Sequence, residues 1–133
     1  MEQPLTGLAI TGVGSATPAV VLDNQGLSQF VDTSDEWISS RTGIRQRHLS
    51  DPQGSLTTIA TQAAQQAIAM AGVAPEDLDL ILLATSTPDD LFGTAGLIQA
   101  QLGAVRAVAF DLTAACSGFV FGLVTAAQFI RTG

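Results

Sequence analysis

The chain has 133 residues, a mass of 13.7 kDa and 47% hydrophobic residues, which is enough for one domain with a sizeable core. Its formal net charge is −7, with five arginines and no lysine, so nucleic acid and membrane are not expected partners. The single cysteine excludes an internal disulfide and fits a reducing cytoplasm. Because neither a signal peptide nor a membrane-spanning run is apparent, we expect one soluble, cytoplasmic domain over residues 1–133.

The first predicted element is a buried strand from Leu5 to Val13, where apolar and small residues alternate before a glycine turn. The sequence TGVGS at residues 11–15 invites comparison with a dinucleotide-binding fingerprint. We reject that interpretation because Pro18 and a Val-Val-Leu run follow, where the fingerprint requires a helix to begin.

The pattern becomes helical from Asp23, and a second short helix, capped by Thr33 or Ser34, is predicted to run to about Arg41 and end at Gly43. In this helix Trp37 and Arg41 are four residues apart, so an indole and a guanidinium share one face and can hold one ligand.

Three of the five arginines and the only histidine lie within residues 41–48, which favours a phosphate-bearing ligand such as an adenine nucleotide. The residues alone support a second interpretation equally well: Trp37 lies in the core, and the arginines pair with neighbouring carboxylates on a solvated face.

The middle of the chain predicts alternating helices and strands. A helix with an alanine-rich apolar stripe begins after its cap Ser55 and stops at Gly72. The apolar run Leu80–Ala84 is typical of a strand buried on both faces, and a loop over residues 85–96 and a short helix follow it. This order predicts an α/β fold in which helices cover the sheet on two sides.

The only cysteine, Cys116, lies between a predicted strand over residues 107–111 and an apolar helix over residues 116–130. The positive end of a helix favours the thiolate form, and the backbone N–H of Cys116 is available as an oxyanion donor, as in a nucleophile elbow. On its own, however, a lone cysteine is more often a small buried apolar residue. The helix is apolar on every face and is expected to be buried between layers.

Two motifs carry a family resemblance: DTSDEWISSRTGIRQRH over residues 32–48 and FDLTAACSGF over residues 110–119. Together they resemble β-ketoacyl-acyl-carrier-protein synthase III, whose members are considerably longer, so the resemblance covers their N-terminal portion only. It implies a thiolase-like layered fold, of which this chain holds an incomplete first half with a mixed sheet covered by helices. The last helix would then lack one of its covers, and the chain alone is expected to be poorly stable.

The resemblance also implies a decarboxylating condensation of acetyl-coenzyme A with malonyl-acyl carrier protein, in which Cys116 carries the acetyl group. Thr33, Trp37 and Arg41 match positions that contact coenzyme A. Phe92 matches an aromatic residue that lines the acyl pocket across a homodimer interface, although ordinary core packing is equally open for it.

Acetyl-coenzyme A is then a substrate and acyl carrier protein a partner, with no covalently bound cofactor and no metal. The family's catalytic His and Asn lie beyond residue 133, so His48 is expected to be structural and the chain alone to be inactive.

Two alternatives stay open. A related thiolase-fold acyl-coenzyme A condensing enzyme, such as a hydroxymethylglutaryl-coenzyme A synthase, would share the cysteine and differ in its second substrate. The second alternative is a non-catalytic fragment that at most binds coenzyme A or pairs with a partner through an exposed sheet edge. The pairing of Trp37 with Arg41 favours the synthase III assignment over the first alternative.

Overall fold

The computed structural model describes residues 7–132. Predictions for Leu5, at the start of the first strand, and for Gly133, as the cap of the last helix, lie outside these residues. The described elements are β1 (Val20–Asp23), α1 (Asn24–Leu27), α2 (Asp35–Thr42), β2 (Gln46–Leu49), α3 (Leu56–Ala71), β3 (Leu80–Ala84), α4 (Ala95–Leu102), β4 (Val108–Leu112) and α5 (Gly118–Thr132). Short 3₁₀ turns at Pro75–Asp77 and Ala115–Ser117 precede β3 and α5.

Residues 17–55 form one compact unit, and residues 56–132 form a second together with residues 7–16. The prediction of a single domain over residues 1–133 therefore stays a prediction.

In the first unit β1 and β2 pair in an antiparallel sheet, with Val20 opposite Leu49. The sequence analysis did not predict β2, whose residues Gln46, Arg47 and His48 are polar and show no apolar alternation.

A buried asparagine holds the first unit together. Asn24 is only 1% exposed, and its amide nitrogen donates to Asp35 Oδ1 at 2.7 Å and to the Ile44 carbonyl at 2.8 Å. Its side-chain oxygen accepts from Arg47 Nη2 at 2.6 Å. One side chain thus joins α1, α2 and β2. These hydrogen bonds satisfy the buried amide and fix the position of α2 beside α1.

In the second unit β3 and β4 form a parallel pair, with Leu82 opposite Phe110. Because side chains alternate along a strand, Ile81 and Leu83 point to one face, where they pack on the cluster of Ile98, Leu102, Ala104 and Ala107. On the opposite face Phe110 contacts Phe129 of α5, with ring centroids 6.2 Å apart. Helices therefore cover both faces of this pair, as predicted.

The predicted first strand is wrong for residues 7–13, which form no regular element and leave Ile10 70% and Val13 61% exposed. A strand needs a hydrogen-bonded neighbour, and no strand of the described residues pairs with this segment. The segment instead lies along α3. The Val13 N–H donates to Met70 Sδ at 3.4 Å, and the Ser15 N–H donates to Gln66 Oε1 at 3.3 Å.

The glycines of TGVGS have a packing function in this contact. A Cβ at Gly12 would lie 2.1 Å from the Ala67 carbonyl oxygen, and a Cβ at Gly14 would lie 2.0 Å from the Ala63 carbonyl oxygen. Real Cβ atoms do not approach backbone oxygen so closely, so only glycine allows the two backbones to touch. The motif therefore serves close helix packing, which agrees with the rejection of a dinucleotide fingerprint.

Helix α5 is not buried between layers in this chain, which differs from the expectation from its composition but agrees with the expectation that the helix lacks one of its covers. Phe119, Val120, Phe121 and Val124 are all at least half exposed. By length and composition alone, Ala115–Thr132 is also apolar enough to cross a membrane, with a mean hydropathy of 1.2. The core helix of a soluble protein passes the same test. The expected absence of a membrane partner therefore stays a prediction.

Candidate active site

Cys116 lies in the turn that joins β4 to α5, and its side chain is exposed. This excludes the interpretation of Cys116 as a small buried apolar residue within the described structure. Helix α5 begins at Gly118, two residues later than predicted, and the 3₁₀ turn Ala115–Ser117 leads into it. The Ser117 N–H donates to the Ala114 carbonyl at 3.0 Å, which closes this turn around the cysteine.

Backbone strain marks the residue before the thiol. Ala115 has a φ of +44°, and it is the only residue other than glycine with positive φ between residues 7 and 132. For a residue with a Cβ this conformation costs about 1–2 kcal/mol, and such strain clusters at functional sites. The sequence gives no signal for it, because nothing distinguishes Ala115 from Ala114 beside it. The turn thus has the strained strand-to-helix geometry of a nucleophile elbow.

Neighbouring contacts fix the two ends of this turn. Thr113 Oγ1 donates to the Thr85 carbonyl at 2.9 Å, which continues the β3–β4 pairing past the end of the strands. Gly118 is buried, and a Cβ there would lie 3.0 Å from the Ala84 Cβ, so glycine lets α5 approach β3 closely. Cys116 is therefore held on a rigid support and faces outward.

Phe92 lies in the loop between β3 and α4 and is 98% exposed, so it is not a core residue of this chain. Together with residues at the end of β4, the loop surrounds an open cavity of about 420 Å³. Asp111 and Phe110 line its strand side, and Leu91 and Phe92 its loop side. The sequence analysis did not identify Asp89 and Asp111, whose carboxylates hold this loop. For Asp111 a signal exists in the sequence, because it is a lone aspartate at the end of the apolar strand β4.

Trp37 and Arg41 meet on α2, as their spacing predicts. The Arg41 guanidinium carbon lies 4.9 Å from the Trp37 ring centroid, within cation–π range, and Trp37 is 55% exposed. The structure therefore contradicts the interpretation that Trp37 lies in the core. Ser34 begins the helix by accepting the Trp37 N–H at 3.1 Å, and Gly43 ends it with a φ of +72°.

The other arginines of this segment have structural partners. Arg45 lies 3.5 Å from Asp35 at the surface, and Arg47 donates to the Leu22 carbonyl and to Asn24. Among the described ion pairs none involves Arg41, so no carboxylate of these pairs competes with a ligand for its guanidinium. The predicted cluster of positive charge thus reduces to one arginine beside an exposed indole.

Thr33 lies next to this pair. Its hydroxyl oxygen is buried without a hydrogen-bond partner among residues 7–132. A cavity of about 330 Å³ is lined by Asp32, Thr33, Ser34 and Trp37. Trp37 and Arg41 together suit a ligand that is both aromatic and anionic, and Thr33 lines the adjoining cavity.

His48 belongs neither to the turn that holds Cys116 nor to the site around Trp37 and Arg41. Its Nδ1 lies 2.7 Å from the Pro18 carbonyl oxygen, beside the β1–β2 sheet, which supports the predicted structural role. Within residues 7–132 no cluster of three or more His, Cys, Asp or Glu side chains could hold a metal ion. The expected absence of a metal stays a prediction.

Comparison with known proteins bears on these sites. The family model "3-Oxoacyl-[acyl-carrier-protein (ACP)] synthase III" matches residues 110–133, which include Cys116. "Beta-ketoacyl-[acyl-carrier-protein] synthase III" of Acaryochloris marina is 70% identical over 133 residues, all of this chain and 40% of that protein. The protein of the same name from Trichormus variabilis is 72% identical over 127 residues, 96% of this chain and 38% of that protein. The predicted resemblance to β-ketoacyl-acyl-carrier-protein synthase III is confirmed.

Solved structures confirm the predicted fold class, a thiolase-like α/β fold. The 3-oxoacyl-[acyl-carrier-protein] synthase III of Aquifex aeolicus superposes with a TM-score of 0.91 at 50% identity, over 96% of this chain and 41% of that chain. The enzyme of Pseudomonas aeruginosa gives 0.84 at 47% identity, over 92% of this chain and 37% of its own. The chain thus spans about two fifths of the length of these synthase III proteins.

Proposed function

We propose that this chain supplies the nucleophile and the coenzyme A-binding residues of a β-ketoacyl-acyl-carrier-protein synthase III. The observation that carries the proposal is the exposed Cys116, which follows a strained Ala115 at the junction of β4 and α5. A nucleophile on such a turn projects toward substrate. The relatives named synthase III support the assignment.

In the proposed reaction the Cys116 thiolate attacks the carbonyl carbon of acetyl-coenzyme A and expels the coenzyme A thiolate. Malonyl-acyl carrier protein then loses carbon dioxide, and the resulting carbanion attacks the Cys116 thioester. This step forms the new carbon–carbon bond of acetoacetyl-acyl carrier protein and releases the Cys116 thiolate. The covalent intermediate divides one difficult step into two easier ones.

The residues of α2 would bind the nucleotide part of acetyl-coenzyme A. Trp37 offers an exposed indole face for adenine, and Arg41 offers a guanidinium without a carboxylate partner for phosphate. Thr33 would contact the ligand as a lining residue of the cavity beside Trp37. We further propose that the protein acts in the cytoplasm as a homodimer in which Phe92 of one subunit closes the acyl pocket of the other.

The test uses a fusion protein in which residues 1–133 of this chain replace the matching part of the Acaryochloris marina relative. After incubation with acetyl-coenzyme A, peptide mass mapping should find one acetyl group on the peptide that contains Cys116. The Cys116→Ser variant should carry none and should form no acetoacetyl-acyl carrier protein. A folded fusion protein without acetyl on this peptide would refute the proposal.

A further inference from the structure

The loop between β3 and α4 presents two large apolar side chains that packing does not hold. Leu91 is 96% exposed and Phe92 is 98% exposed, so neither side chain gains a fixed position from neighbours in this chain. A side chain that limits the size of a pocket must nevertheless be held in place. The loop must therefore be fixed through its backbone.

Asp111 of β4 fixes the end of the loop. Its Oδ2 accepts the Thr94 N–H at 2.9 Å, and its Oδ1 accepts the Ala95 N–H at 2.7 Å. Thr94 and Ala95 are both 0% exposed, so water cannot replace this acceptor. Both oxygens of one carboxylate thus tie the loop to the strand that leads to Cys116.

Asp89 fixes the start of the loop. Its carboxylate accepts the N–H groups of Leu56 and Thr57 at 2.9 and 2.7 Å, at the first turn of α3, and the Thr57 hydroxyl at 2.7 Å. The positive end of α3 strengthens these bonds to a carboxylate. The Asp89 N–H in turn donates to Thr94 Oγ1 at 2.8 Å, which joins the two anchors.

Between these anchors the tip has a bond of its own. Asp90 Oδ1 accepts the Phe92 N–H at 2.7 Å, and the next residue, Gly93, has a φ of +113° that favours glycine. The tip that carries Phe92 is therefore short and locally bonded, and its two ends are held by carboxylates from β4 and from the loop itself.

We infer that Asp89 and Asp111 are positioning residues that hold Phe92 where it limits the length of the acyl chain accepted by the enzyme. The inference rests on the proposed function, in which Phe92 closes the acyl pocket. Asparagine at either position keeps the shape of the side chain but loses the charge and one acceptor oxygen. The loop would then move, and the preference for short acyl chains would weaken.

The experiment measures the ratio of kcat/KM for acetyl-coenzyme A to kcat/KM for butyryl-coenzyme A in the fusion protein. A change in the folded fraction alters both values equally and leaves the ratio unchanged. Phe92→Ala should lower the ratio because it removes the side chain that limits the pocket. Asp89→Asn and Asp111→Asn should each lower the ratio by about tenfold, for the loss of one charge-assisted hydrogen bond that holds the loop. Asp79→Asn is the matched control, because this carboxylate is 87% exposed beside Arg106, and its ratio should not change.

A ratio that stays unchanged in both aspartate variants would overturn the inference, even if kcat/KM falls equally for both substrates. If Asp111→Asn does not fold, Asp89→Asn decides alone. An unchanged ratio in Phe92→Ala would overturn both the inference and the role proposed for Phe92. The acetylation of Cys116 is measured separately, so a failure of the whole proposed function is recognised by the absence of acetyl on its peptide.

Discussion

Replacement of Gly14 by alanine tests the contact between residues 7–16 and α3. A Cβ at Gly14 would lie 2.0 Å from the Ala63 carbonyl oxygen and 2.9 Å from both the Ala67 nitrogen and the Gln66 Cβ. The nearest obstacle is backbone of a helix, which cannot rotate away as a side chain can. The segment must therefore retreat by about 1.4 Å to bring this 2.0 Å approach to an ordinary contact distance of 3.4 Å.

The cost follows from what this retreat breaks. Overpacking of this kind costs about 1–3 kcal/mol. The hydrogen bond from the Ser15 N–H to Gln66 is already long at 3.3 Å, and it would be lost together with the bond from the Val13 N–H to the Met70 sulfur at 3.4 Å. With about 0.5 kcal/mol for each of these exposed bonds, Gly14→Ala should lower the free energy of unfolding by about 2–4 kcal/mol.

Urea denaturation of the fusion protein measures this free energy, with the m value as a check on two-state behaviour. Gly12→Ala should lower the free energy of unfolding by a similar amount, since its Cβ would lie 2.1 Å from the Ala67 carbonyl oxygen. Gly96→Ala is the control: its Cβ meets nothing within 4 Å, and it lies in α4, where alanine is favoured by about 0.5–1 kcal/mol. A Gly14→Ala variant within about 0.5 kcal/mol of the parent would refute the packing function of the motif.

Two further predictions concern function. Arg41→Ala in the fusion protein should weaken binding of coenzyme A by about 1–3 kcal/mol through loss of a charge-assisted hydrogen bond, and Trp37→Ala should weaken it through loss of stacking, as measured by titration calorimetry. Unchanged affinities in folded variants, with Arg45→Ala as the control at an exposed ion pair, would contradict a ligand role for α2. The 133-residue chain alone should form no acetoacetyl-acyl carrier protein, because its only imidazole, His48, is bonded to the Pro18 carbonyl. Measurable turnover in that assay would show that residues 1–133 supply the missing electrophilic group.

Interactions between residues close in sequence determine many of the helix ends and strands of this chain. Ser34 and Gly43 bound α2 where capping rules place them, and the Gly72 that follows α3 has the positive φ expected of a helix end. The apolar runs that became β3 and β4 were found because a strand covered on both faces needs no alternation. The place of Cys116 in a strand-to-helix turn and the contact between Trp37 and Arg41 follow likewise from residues close in sequence.

Only the tertiary structure decided which distant groups meet. The segment 7–13 has the composition of a strand, yet strand formation depends on a partner, and this segment packs on α3 instead. The carboxylate of Asp89 accepts from Thr57, and that of Asp111 from Thr94, which are 32 and 17 residues away along the chain. Helix propensity and periodicity describe neighbours within one or two turns, so they carry no information about such contacts. The strained φ of Ala115 has the same origin, because a strand and a helix fixed by separate contacts impose it on the residue between them.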